Sequence, residues 1–211
     1  MAKYLTEFIG TFFLVLTIGL TVLTDAPMAA LAIGASLMIM VYMGGHISGG
    51  HYNPAVSLAL LLRGKLPASE FVPYVLAQVA GALVASFIVY AVLGKTFAPA
   101  PGDGVAAFSA VLLEALYTFA LALVVLNCAA SEKTKGNSYY GLAIGFTLVV
   151  AAFASGGLSG GAFNPAVGIG PTIVNALLGG GTWGNLWLYI VGPLAGGALA
   201  SVVFGLQEDV P

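Results

Sequence analysis

The stretch Ser48-Gly-Gly-His-Tyr-Asn-Pro-Ala-Val56 occurs again as Ser159-Gly-Gly-Ala-Phe-Asn-Pro-Ala-Val167, so that Asn53 and Asn164 stand 111 positions apart in a chain of 211 residues. Asparagine is a favoured helix N-cap and proline a favoured first helical residue. Either copy alone therefore predicts an ordinary helix start. Two copies with the same flanking residues predict a duplicated half.

The composition around this repeat is that of an integral membrane protein. Charged residues make up 7% of the chain and hydrophobic residues 60%, whereas a typical soluble domain has about 25% charged residues. A net charge of −2 with six Lys and Arg gives no basic face, so we expect no nucleic-acid partner. Cys128 is the single cysteine, which excludes an internal disulfide.

Apolar runs of about 20 residues are long enough to cross a bilayer. The first run contains Glu7, and a cleaved signal peptide is the other interpretation of it. We interpret it as a span because the run has a counterpart, with Glu114, inside the chain. The predicted spans are residues 4–24, 28–45, 70–93, 106–127, a run that includes 141–145, and 183–206.

Two further apolar runs, residues 53–62 and about 164–174, are too short to cross the bilayer at 1.5 Å per residue. They are predicted to be re-entrant half-helices. Each half then has three spans and one half-helix, and because three is odd the halves have opposite orientations. The expected fold class is an all-α membrane protein with an inverted repeat. We expect a single membrane domain over 1–211, with repeats of about 1–97 and 105–211.

The positive charges predict the orientation in the membrane. With the N-terminus inside, five of the six Lys and Arg residues fall on the cytoplasmic side, in agreement with the positive-inside rule. We therefore expect a multi-pass protein of the cell membrane with both termini in the cytoplasm. The residues on that side are Lys3, Arg63, Lys65, Lys133 and Lys135, and Lys95 lies outside.

Two re-entrant helices that meet at the midplane imply a cavity there, because irregular backbone at that depth must line protein or water. Each helix N-terminus carries roughly half a positive elementary charge. Two such ends repel cations, and the amide groups of Asn53 and Asn164 donate hydrogen bonds to passing water. Half-helix dipoles of this kind exclude protons and cations from a pore.

The two Asn-Pro-Ala motifs (Asn53, Pro54, Ala55 and Asn164, Pro165, Ala166), the Gly-His-Ile-Ser-Gly-Gly lead-in and the two early glutamates resemble the major intrinsic proteins, the aquaporin and glycerol-facilitator family. The resemblance covers essentially the whole chain. It implies six tilted helices around a pore, a homotetramer in the lipid bilayer, small neutral permeants and no cofactor.

The resemblance also implies roles for the buried polar residues. Glu7 and Glu114 are expected to accept hydrogen bonds from the loop backbone, with a proton relay as the alternative. His46 is expected to be a buried structural residue that supports a loop carbonyl. His51 is expected to line the pore, with a structural role as the alternative. No metal site is expected, because no other ligand residue shares the spacing of the histidines.

One position departs from the water-selective members, in which an Arg follows the second Asn-Pro-Ala. Val167 stands there, as in some tonoplast intrinsic proteins, and the resemblance places Ile33, Ala152 and Gly161 beside it in the constriction. Ala151 is the alternative to Ala152. Loss of Arg removes a fixed charge and five donors. The hypothesis is a pore for water and small neutral solutes such as glycerol, urea, ammonia or hydrogen peroxide.

Other classes of protein share parts of this pattern. A secondary transporter also uses inverted repeats and broken helices, and it would couple flux to an ion gradient. An intramembrane enzyme is disfavoured because no Ser or Cys nucleophile has an evident base partner. A structural membrane protein with a closed pore is the third alternative. The channel is the preferred interpretation, and the chain is not expected to be an enzyme.

Overall fold

Eight α-helices make up most of the described residues, 1–208, of a computed structural model of the chain. Six of them are long and apolar enough to cross a membrane. The bounds are α1 Ala2–Leu23, α2 Ala29–Ser48, α3 Pro54–Leu62, α4 Ala68–Leu93, α5 Ala107–Val125, α6 Tyr140–Ser159, α7 Pro165–Leu178 and α8 Leu188–Glu208. A π-helical turn, Leu126–Ala130, extends α5. The predicted fold of six spans and two half-helices is confirmed, and residues 209–211 of the predicted second repeat lie outside the described residues.

The half-helices α3 and α7 begin in the same way. Asn53 is extended, with φ −157°, and its side chain accepts a hydrogen bond from the Ala55 amide. Asn164 has φ −162° and accepts from the Ala166 amide. The proline that follows each asparagine has no N–H to leave unpaired at the first helical position. The local sequence alone therefore explains why both helices start where they do.

Three helix boundaries differ by three or more residues from those predicted. Helix α2 continues past residue 45 to Ser48 and ends at Gly49, whose left-handed conformation is common at helix C-termini. Helix α7 reaches Leu178 and ends at Gly179 rather than near residue 174. The last span begins at Leu188 because residues 183–187 form turns around Gly184 and Asn185, two turn-forming residue types.

Each half-helix packs mainly against the opposite half, α3 against α8 and α7 against α4. Helix α1 lies against α2 and α4, and α5 lies against α6 and α8, while α2 and α6 join the halves. A Cβ added at Gly81 would lie 2.4 Å from the Phe8 carbonyl oxygen, and one at Gly196 would lie 2.2 Å from the Ala115 carbonyl oxygen. Glycine thus lets the backbones approach, as expected where van der Waals packing holds a membrane bundle together.

Candidate functional site

A cavity of about 380 Å³ lies where the two half-helices meet. Side chains from both halves line it, and no Lys, Arg, Asp or Glu of the described chain is among them. The predicted site residues that share this cavity are Ile33, His51, Asn53, Ala152, Gly161, Asn164 and Val167. The cavity is therefore uncharged along its walls, and its polar groups are concentrated at the two helix starts.

The two asparagines join the half-helices to each other. Asn53 Nδ2 donates to the carbonyl oxygen of Phe163 at 2.8 Å, and Asn164 Nδ2 donates to the carbonyl oxygen of Tyr52 at 2.8 Å. Each Oδ1 caps its own helix. Since an amide NH2 group has two hydrogens, each asparagine keeps one N–H that is not used in this reciprocal pair.

Tyr52 and Phe163, which precede the asparagines, adopt left-handed backbone conformations with φ of 50° and 48°. Such a conformation is unusual for a bulky residue and costs on the order of 1–3 kcal/mol. It aims each carbonyl at the opposite asparagine and each N–H at a glutamate. Sequence reasoning missed this role, because an aromatic residue gives no signal for positive φ.

Glu7 and Glu114 are fully buried behind the two loops. Glu7 accepts four hydrogen bonds, from Ser48 Oγ at 2.7 Å, the His51 amide at 3.0 Å, the Tyr52 amide at 2.7 Å and Gln78 Nε2 at 2.8 Å.

Glu114 accepts from Ser159 Oγ at 2.8 Å, the Ala162 amide at 3.1 Å and the Phe163 amide at 2.5 Å. Both carboxyl groups therefore satisfy backbone N–H groups that would otherwise be buried and unpaired.

A tyrosine completes the support of each loop. Tyr74 Oη donates to the Ser48 carbonyl at 2.8 Å, and Tyr189 Oη donates to the Ser159 carbonyl at 2.7 Å. The two serines thus have both their hydroxyl and their carbonyl groups paired. The tyrosines stand four residues before Gln78 and Pro193, the first residues of two similar segments, and that shared position is the signal that could have found them.

The prediction for His46 is wrong, since its side chain is exposed at the end of α2. The loop carbonyl of Ser48 accepts its hydrogen bond from Tyr74 Oη and not from His46. His46 lies beside the loop between α5 and α6, where a surface pocket also contains Cys128 and Glu132. No three His, Cys, Asp or Glu side chains among residues 1–208 converge as metal ligands.

His51 is buried and lies at the junction of the central cavity and a second cavity of about 330 Å³. This second cavity, the vestibule, opens on the face of the bundle where the chain begins. Lys3, Lys65 and Glu132 line it, together with Glu70, which pairs with Lys3 at 2.8 Å. Of these two cavities, only the vestibule has charged side chains among its described lining residues, and His51 lies where the two cavities adjoin.

The residues assigned to the constriction come from three helices and one loop. Ile33 of α2 and Val167 of α7 are buried, while Ala152 of α6 and Gly161 of the loop before α7 are partly exposed. All four line the central cavity, whereas the alternative, Ala151, is buried and is not among its lining residues. Phe153 also lines the cavity, and sequence reasoning did not find it.

Comparison with known proteins gives consistent matches over the whole chain. The family model described as major intrinsic protein matches residues 1–204. The "Glycerol uptake facilitator protein-like 6" of Lactiplantibacillus plantarum is 39% identical over 214 residues, which cover 95% of each chain. The "Probable aquaporin TIP2-2" of Oryza sativa subsp. japonica is 37% identical over 97% of this chain and 86% of its own length.

The solved structures include a close likeness in fold. The X-ray structure of the aquaglyceroporin from Plasmodium falciparum superposes with a TM-score of 0.85 at 22% identity, covering 99% of this chain and 96% of that one. The arrangement of six spans and two half-helices is therefore common to both proteins.

Proposed function

The chain belongs to the major intrinsic protein family, and from this premise we propose that it is a passive channel that conducts water together with small neutral solutes, among which glycerol is the first to test. The family consists of channels for water or small solutes, so the protein is not an enzyme. It is an integral, multi-pass membrane protein with six apolar spans.

The apolar lining at the constriction carries the proposal for the permeant. Val167, Ile33, Ala152 and Gly161 offer no charge and no side-chain donor, and two of the four are very small. An Arg at position 167 would fill the gap and bind water through five N–H groups. Without it, a carbon-bearing solute meets neither a steric block nor a fixed charge. The name of the glycerol-facilitator relative points in the same direction.

The meeting of two helix N-termini supports exclusion of ions. The starts of α3 and α7 line one cavity, and their partial positive charges add there. The remaining N–H of Asn53 and of Asn164 is available to a permeant oxygen. A water molecule that accepts from both is turned away from its neighbours in the file, which interrupts proton transfer along it.

The positive charges support a proposal for the orientation, and the family supports one for the assembly. We place the vestibule in the cytoplasm, because positive charges concentrate on the face that carries Lys3 and Lys65. The two repeats, about 1–97 and 105–211, form one channel domain per subunit. We expect a homotetramer in the cell membrane, with one such channel in each subunit.

Stopped-flow light scattering of proteoliposomes tests the function. The protein should raise both water and glycerol permeability above empty vesicles, without dependence on a proton or sodium gradient. Val167→Arg should lower glycerol flux roughly tenfold and water flux much less, since it narrows the constriction and adds a charge.

Val167→Leu is the matched control, because it adds bulk without charge or donors. Equal water and glycerol fluxes in the parent and Val167→Arg would remove residue 167 from the filter. Permeability no higher than that of empty vesicles in either gradient would refute the channel, and coupling to an ion gradient would favour a transporter.

A further inference from the structure

The two halves support their half-helices with the same parts, but the first half has an additional polar chain. Glutamate, serine, tyrosine and asparagine occur in both supports. In the first half alone, Gln78 and Ser57 continue the hydrogen bonds from Glu7 to the ring of His51. The repeat places Ala162, Gly168 and Pro193 at the positions of His51, Ser57 and Gln78.

This asymmetry indicates what the additional residues do. Helix α7 is held without any donor at the positions of Ser57 and Gln78, so these side chains are not needed to hold a half-helix. They occur in the half that has an imidazole at the cavity: Ser57 contacts the ring directly, and Gln78 contacts Ser57. We therefore expect Ser57 and Gln78 to act on the imidazole of His51 rather than on the half-helix.

The direction of the hydrogen bonds follows from Glu7. Its two oxygens already accept from two backbone amides and the Ser48 hydroxyl, so the group of Gln78 that faces it at 2.8 Å is the NH2. The same nitrogen donates its other hydrogen to Ser57 Oγ at 3.0 Å. Gln78 Oε1 is buried without a hydrogen-bond partner in the described chain, which is the cost of this orientation.

Ser57 connects Gln78 to His51 and decides which ring nitrogen of His51 accepts a hydrogen bond. Its Oγ accepts from Gln78, so its own hydrogen is available for His51 Nδ1, which lies 3.0 Å away. A nitrogen that accepts a hydrogen bond carries no proton, so in the neutral ring the proton is on Nε2. All four residues of this hydrogen-bonded series are buried. Glu7, Ser57 and Gln78 are fully buried, and His51 is 7% exposed.

The Nε2 edge of His51 faces the vestibule side of the cavity. A Cβ added to Gly49 would lie 2.9 Å from Nε2, and Gly49 itself lines the vestibule. The ring is in contact with the Tyr74 ring, with centroids 5.0 Å apart, which limits its rotation. Nε2, for which residues 1–208 supply no hydrogen-bond partner, is therefore at the passage between vestibule and cavity.

We propose that Ser57 and Gln78 are positioning residues that hold His51 as the Nε2–H tautomer, so that the passage presents a fixed hydrogen-bond donor to the oxygen of a permeant. The tautomer is a property of the folded protein alone. Its use by a permeant rests on the proposed channel function.

Nitrogen-15 NMR of the full chain in detergent micelles tests the tautomer directly. The chain has two histidines, and a His46→Gln background leaves His51 as the single labelled imidazole. The parent should show a protonated Nε2 and an unprotonated, hydrogen-bonded Nδ1 at neutral pH. A protonated Nδ1, or an average of both tautomers, would overturn the proposal.

Variants then test the two positioning residues. Ser57→Ala should move the Nδ1 resonance to that of an acceptor without a partner or of a protonated nitrogen, and Ser57→Thr, which keeps a hydroxyl, should restore the parent spectrum. Gln78→Met should make the Nδ1–H tautomer detectable, because Ser57 then loses the donor that orients its hydroxyl, and its hydrogen is free to turn away from the ring. A parent-like spectrum in Ser57→Ala or Gln78→Met would overturn the role of that residue.

Flux separates this inference from the function on which it rests. Glycerol permeability of Ser57→Ala should be about two- to tenfold below that of Ser57→Thr, the range that one neutral hydrogen bond supplies. Equal permeability in the two variants would overturn the use of the donor. Absence of permeability in the parent would instead refute the channel, while the NMR result would still decide the tautomer.

Discussion

Replacement of Asn53 by Ser separates the two interactions of this side chain, the helix cap and the hydrogen bond to the opposite loop. Asn53 Oδ1 caps α3 at 2.8 Å from the Ala55 amide, and Nδ2 donates to the Phe163 carbonyl at 2.8 Å. Serine is also a good N-cap, but it is too short to reach the opposite loop and has no amide. Asn53→Ser should therefore keep the cap and lose the link between the half-helices.

The loss of stability expected for Asn53→Ser follows from the burial of the Phe163 carbonyl. Phe163 is fully buried, and a buried acceptor left without its partner costs about 1–3 kcal/mol. Asn53→Ala loses the cap as well, which adds about 0.5–2 kcal/mol. The Asn164 variants should behave alike, because the distances there are 2.8 and 2.9 Å.

The free energy of unfolding, measured by SDS titration in detergent micelles, checks this series. The double variant Asn53→Ser with Asn164→Ser should cost less than the sum of the two single changes, because both bonds join the same two loops and the first loss loosens the second. Asn53→Ser as stable as the parent would refute the reciprocal link. Equal stability of Asn53→Ser and Asn53→Ala would refute the cap.

Two further changes test the packing and the buried acids. Gly197→Ala should destabilise the fold by about 1–3 kcal/mol, because its Cβ would lie 2.4 Å from the Ala55 carbonyl oxygen. Gly184→Ala is the control, since there is ample space around its Cβ. Equal melting temperatures of the two variants would contradict the close approach at Gly197. Glu114→Gln should cost about 2–4 kcal/mol in an SDS titration, since its NH2 would face a backbone N–H, whereas the exposed Glu132→Gln should change stability by less than about 0.5 kcal/mol.

The fold could be predicted because its main constraints are local. Apolar length decides which helices cross a bilayer, and the repeated Asn-Pro pair marks where two short helices begin. Helix ends were predicted less well, because tertiary contacts decide them. The glycines that follow Ser48 mark a loop in the sequence, but α2 continues past the predicted end at residue 45 and stops only at Gly49, which is in the left-handed conformation.

The candidate site was less open to prediction than the fold. Residues such as Val167 and Ile33 could be named from the resemblance to the major intrinsic proteins, and they line one cavity. The left-handed conformations of Tyr52 and Phe163 could not be named, because nothing in an aromatic side chain specifies positive φ. The prediction that His46 is buried was wrong, because residue type does not tell which face of a helix end is covered by other residues.

The repeat and its exceptions have different consequences for the pathway. The repeated residues fix backbone groups, so both half-helices start alike and bring equal N-terminal charges to the cavity. A symmetric pair of supports gives no chemical difference between the two mouths. The exceptions supply that difference, since His51, Ser57 and Gln78 have apolar counterparts. A permeant therefore meets a directed donor on the vestibule side and apolar side chains at Val167, so chemical polarity along the pathway arises where the duplication has diverged.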